Sequence, residues 1–170
     1  IAVDTGVYSL TEVRLGLLPA NIAPYVVARM GEANARRTFL TARRMGAACA
    51  PFRPAFVTPM AAVAGAVAQG ILPYDVHAGI DRAWVNNGGD IALHLAPGQQ
   101  ATVGVLADVA ALEFSALHPG ALVPDGQIRI ASAMPVRGLA TSGWRGRSQS
   151  LGIADSVTVL ARTAAQADAA

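Results

Sequence analysis

Residues 58–72 read TPMAAVAGAVAQGIL. Thr58 stands where a helix takes an N-cap, and Pro59 where a first helical residue needs no N–H. From Met60 to about Leu72 the segment is nearly all Ala, Val, Gly and Ile. A helix without a polar face should be buried. Its small residues let a sheet or a ligand come close to its backbone. The chain has the means to bury it: 53% of its 170 residues are apolar and 14% charged. That composition argues against disorder and for one ordinary domain with a real core.

The pattern changes after Pro73. Short strand candidates recur at 83–86, 90–95, 101–106, 127–132 and 155–161. Turn signals separate them, as at Pro97-Gly98, Pro119-Gly120 and Asp125-Gly126. Helical signals lie before and after these strands rather than alternating with them, which favours an α+β fold over a doubly wound sheet. Upstream, residues 1–19 read as strand and then irregular chain. Pro24 opens a helical stretch, with Gly31 as a break and Arg36, Arg37, Arg43 and Arg44 on exposed faces. Two prolines make residues 50–54 a linker. Residues 163–170 begin like a helix, but under two turns at a terminus predicts a marginal one.

Composition narrows the function classes. A formal net charge of +2 gives no field that argues for nucleic acid. The longest apolar run, residues 60–68, is too short to span a bilayer. The single cysteine, Cys49, permits neither an intrachain disulfide nor a cysteine metal cluster, and fits a reducing cytoplasm. With no obvious base partner, it reads as structural or incidental. His77, His94 and His118 match no compact metal signature, and His94 should point off the core face. Ser142 and Ser156 lack a nucleophile elbow.

The segment WVNNGGDIALHL, residues 84–95, breaks a strand with Asn86, Asn87, Gly88, Gly89 and Asp90. One reading is a hairpin turn. The other is a cradle: the glycines bring backbone N–H groups close to a phosphate, the asparagines add amides, and Asp90 holds the turn or accepts from a ligand. Thr141, Ser142 and Gly143 offer two hydroxyls beside a glycine, suited to a phosphate or a carbonyl and equally to a strand end. Arg145 and Arg147 share a face if extended, as a charge pair for phosphate or a solvated edge.

Two resemblances bear on these residues. LTEVRLGLLPANIAPYVV (10–27) and RMGEANARRTFLT (29–41) resemble the middle of the crotonase, or enoyl-CoA hydratase, family over residues 1–44. In that family a carboxylate at the position of Glu12 serves as catalytic acid or base. The half that supplies the oxyanion hole is not in this sequence. FVTPMAAVAGAVA (56–68), VNNGGDIAL (85–93), GLATSGWRGRS (138–148) and GIADSVTVLA (152–161) resemble an uncharacterised prokaryotic family related to the ApbE-like FAD:protein FMN transferases. This implies a crotonase-like fragment over 1–44, with a short strand and helices, then an ApbE-like α+β domain over 45–170, a mixed sheet with packed helices, that reads as truncated at its C-terminus.

The second resemblance implies a flavin or related nucleotide, FAD or FMN, on Asn86, Asn87, Gly88, Gly89, Asp90, Thr141, Ser142 and Gly143. It places Asp168 where the transferases keep a magnesium-binding aspartate. Ala64 and Gln69 stand where those enzymes carry Lys and Asp, so transfer chemistry is not implied. Three readings stay open: a nucleotide-binding domain, a non-catalytic structural or interaction protein, and a remnant thioester enzyme acting through Glu12. The first 44 residues must pack on the second domain, oligomerise or stay mobile. A small-molecule nucleotide is the expected partner; nucleic acid and membrane are not.

Overall fold

The computed structural model describes residues 28, 31–52, 57–105, 124–143 and 153–170. Helix α1 (Glu32–Cys49) starts after Gly31, whose φ of 79° suits a residue without a Cβ, so the expected break falls at a helix boundary. It runs unbroken past 44–45, where the two resemblances meet, into a 3₁₀ turn at Ala50–Phe52. A second 3₁₀ turn, Pro59–Ala62, leads into α2 (Val63–Asp75). Thr58 occupies the N-cap position but contributes its carbonyl, accepting from the Ala61 N–H at 3.0 Å, rather than its side chain.

Helix α2 passes the expected stop at Leu72 and continues through Pro73 to Asp75. A proline in the last turn costs only the bond to the carbonyl four residues back, and the helix ends before further bonds are lost. The helix is buried along Gly65, Ala66 and Ala68, while Ile71 and Tyr74 at its far end are exposed.

The strands are β1 (Arg82–Asn87), β2 (Asp90–Leu95), β3 (Gln100–Val105), β4 (Gly126–Ala131), β5 (Gly138–Ser142) and β6 (Val157–Ala161). One sheet is antiparallel in the order β1-β2-β5-β6; β3 and β4 form a separate antiparallel pair. All five expected strands form within a residue or two. The sixth, β5, includes Thr141 and Ser142, which also read as a strand end. The fold is therefore α+β as expected, but the expected mixed sheet is corrected: among the described residues every strand pairing is antiparallel, because β5 and β6 each run against their neighbour.

Register decides the layers, because successive side chains alternate between faces. Ile91, Leu93, Leu95 and Leu139 line one face and bury against Ile130, Ile128, Ala101 and Val103 of the β3–β4 pair. Val85 and Ala92 line the other and meet Ala68 and Leu72 of α2 and Ala164 of α3 (Ala164–Ala169).

The marginal terminal helix is a correction. Helix α3 has only six residues, yet Ala164, Ala165, Ala167 and Ala169 are all buried. Thr163 caps it, accepting from the Gln166 N–H at 3.3 Å. A Cβ added to Gly65 or Gly138 would overlap the backbone at Ala164, so two glycines admit α3 between α2 and β5. Packing supplies what propensity cannot at this length. Helix α1 closes the other side, with Met45, Ala48 and Cys49 against Ala62, Ala66, Ala165 and Ala169. Among the described residues no helix is long and apolar enough to cross a membrane.

Candidate functional site

The β1–β2 connection is a two-residue loop. Asn87 pairs with Asp90, leaving Gly88 (φ 70°) and Gly89 (φ 108°) between them. Two positive φ values are what a type I′ hairpin needs to match strand twist. Asn86 closes the turn by accepting from the Gly89 N–H at 2.9 Å through Oδ1. Because β5 lies beside β2, the turn also meets the end of β5: a Cβ on Gly89 would stand 3.9 Å from the Thr141 carbonyl oxygen. The fold thus joins two segments that lie about fifty residues apart in the chain.

On the helix-covered face, Asn87 Nδ2 donates to the Ala64 carbonyl at 3.1 Å. Beside it, Asp168 Oδ2 accepts from the Gly65 N–H at 2.8 Å. Asp168 reaches from α3 to satisfy an N–H in the first turn of α2, where the helix dipole also favours a negative charge. Asp90, on the same face as Asn87, is close enough to feel that charge. Burial, then the Asp168 carboxylate, raises its pKa to about 6. Asp168 is itself raised by burial, an effect opposed by the N–H groups of Gly65 and Ala64. Two part-buried carboxylates in one field attract a proton or a cation. The Cys49 Sγ–H is directed to the Thr58 carbonyl at 3.5 Å. Burial, then the Asp168 charge, raises its thiol, which makes it a poor nucleophile, in keeping with a structural role.

The sheet separates the remaining candidates. Asn86 and Thr141 fall on the opposite face from Asn87 and Asp90, and Thr141 shares a hydroxyl–hydroxyl bond of 3.0 Å with Thr158. Ser142 is exposed at the end of β5, and a Cβ on Gly143 would overlap the Asp155 carbonyl. Glu12, Trp144, Arg145, Arg147 and His118 lie outside the described residues. No group of three or more His, Cys, Asp or Glu side chains gathers as a metal site among the described residues. Asp90 and Asp168 make a pair, with Gln69 Oε1 elsewhere on α2 buried and without a hydrogen-bond partner.

His94 does leave the Leu93–Leu95 face, but for the helix-covered side rather than for solvent. It lines an open cleft of about 400 Å³ with Leu72, Pro73, Val76, Leu93 and Arg137. Nothing local in the sequence singles out Arg137. Its place at the mouth of a cleft depends on which strand β5 joins.

A family match covers residues 15–170. The chain belongs to the AbpE bacteria family. The match crosses the 44–45 boundary and takes in most of the stretch that resembles crotonases, for which these comparisons offer no support. Members of the UPF0280 proteins are similar over about two thirds of the chain. The protein from Methanothrix thermoacetophila is 40% identical over 115 residues, 66% of this chain and 43% of its own length. That from Methanothermobacter thermautotrophicus is 41% identical over 118 residues, 69% and 41% respectively. That from Archaeoglobus fulgidus is 37% identical over 121 residues, 71% and 44%. The chain thus spans less than half the length of the curated relatives it matches.

Proposed function

We propose that this AbpE bacteria family chain binds a flavin or related nucleotide at the Gly88–Asp90 end of its sheet, with a divalent cation such as magnesium. One observation carries the reading: Asn87 beside the Gly-Gly turn and the Asp90–Asp168 pair converge on the first turn of α2, while the Thr141 carbonyl at the end of β5 flanks Gly89. The family and the ApbE-like motifs support it. Gly88 has open space where a Cβ would stand, so a ligand can approach its backbone. Asp168 already occupies the Gly65 N–H, and two carboxylates repel a bare phosphate. A hard cation resolves that conflict, since magnesium takes one or two carboxylates together with phosphate oxygens. Asp90 and Asp168 would hold the ion, and the turn would approach the ligand. When bound, a flavin would supply redox chemistry or a transferable FMN group. Ala64 and Gln69 provide neither an amine nor a carboxylate, so the site favours binding over transfer.

Titrating the chain with FAD and with FMN, with and without magnesium, tests this. The expected result is saturable quenching of flavin fluorescence that requires magnesium and is lost in Asp168→Asn and Asp90→Asn. No binding up to roughly millimolar flavin on a folded sample, an affinity floor near −4 kcal/mol, would reject it. A second reading, a non-catalytic structural protein, has its own support. Asn86, Asn87 and Asp168 all satisfy backbone groups of this chain. Under that reading the two substitutions alter stability alone.

A further inference from the structure

The cleft at the other end of β2 is a separate place. Strand β2 and helix α2 run in the same direction: the first turn of α2 meets Asn87, and Leu72 meets His94. Four strand residues and eight helical residues each cover roughly 12–13 Å, so the two sites lie at opposite ends of the layer. Arg137 is part-buried in the wall of the cleft. Its Nη1 donates to the carbonyls of Met134 at 2.7 Å and Val136 at 2.6 Å, and Nη2 to that of Ser132 at 2.7 Å. These bonds hold the group rigidly. A guanidinium carries five N–H donors, so at least two remain uncommitted. No carboxylate pairs with it among the described residues. A partly desolvated cation that faces only neutral carbonyls is an incomplete arrangement, and an anion completes it.

The neighbours define which anion. His94 makes no side-chain hydrogen bond among the described residues and offers a further N–H. Leu72, Pro73 and Val76 form an apolar wall. There is one guanidinium and no second fixed cation in the lining. Two free N–H groups of a planar fork match a planar carboxylate better than a multiply charged phosphate. We infer that the cleft binds an amphiphilic monocarboxylate, with its carboxylate on Arg137 and His94 and its apolar body against Leu72, Pro73 and Val76. This does not rest on the nucleotide reading.

Hexanoate is the probe, followed by heteronuclear NMR on the whole chain, with inorganic phosphate as control. Saturable shifts at Val76, His94 and Arg137 are expected, with much weaker binding of phosphate. Val76→Glu, which places a negative charge in the wall without touching the carbonyl clamp, abolishes binding while the spectrum stays dispersed. His94→Gln and Arg137→Lys each weaken it by about tenfold, the usual scale for one charge-assisted hydrogen bond. The inference fails if no saturable shift appears by roughly 10 mM. It fails equally if phosphate binds as tightly, or if folded Val76→Glu binds hexanoate unchanged.

Discussion

At the scale of single residues, the hairpin glycines are not equivalent. Gly88 has a φ of 70°, which Asn tolerates, whereas Gly89 at 108° lies further from any comfortable L-residue conformation. Gly88→Asn should be close to neutral, and Gly89→Ala should cost about 1–2 kcal/mol, read from urea midpoints. Equal costs would show that the turn relaxes on substitution. The Asn-Gly-Gly-Asp signal was legible because turn chemistry is local. That Asn87 faces α2 while Asn86 faces away was not, since alternation acquires a direction only once a helix covers one face.

Among the elements, α3 shows how tertiary contact overrides local propensity. Six residues cannot sustain a helix in water. Four buried alanines and the close approach past Gly65 and Gly138 hold it in place. Gly138→Ala should destabilise the fold by about 1–3 kcal/mol, because the new methyl meets backbone that cannot rotate away. Ala165→Leu should cost a similar amount by overfilling the α1–α2–α3 contact. Denaturation midpoints within error of the wild type for both would mean that α3 is not docked as described. Helix α2 was readable from its apolar, small-residue composition, but its end was not. Proline at 73 reads as a stop locally, while packing lets the helix absorb it in the last turn.

For the whole molecule, the Asp90–Asp168 pair links stability to pH. Asp90 titrates near 6 in the folded chain, above the value of about 3.9 for an unperturbed aspartate. The native state therefore binds this proton more tightly than the unfolded chain does. The burden of the charged form is complete above about pH 6, diminishes as pH falls through that value, and is gone below the unfolded pKa. In metal-free buffer Asp90→Asn should be more stable than the wild type near pH 8. That advantage should vanish towards pH 4, as followed by urea midpoints across the range. A difference that stays constant with pH would show that neither burial nor the Asp168 charge raises Asp90 in the folded chain. Magnesium should narrow the gap at high pH by stabilising the wild type alone.

By itself, the amino-acid order determined the elements whose causes are local: the strand alternation, the glycine turn, the helical entry at Pro59 that leads through a 3₁₀ turn into α2, and the α+β arrangement of signals. Side-chain period and turn chemistry act over a few residues, so they survive without a fold around them. Only the tertiary structure decided that Gly89 meets Thr141, that Asp168 caps α2 beside Asp90, and that His94 and Arg137 share a cleft. Each of those pairs is separated by tens of residues in the chain. Contact between them depends on which strands neighbour one another and which face each helix covers.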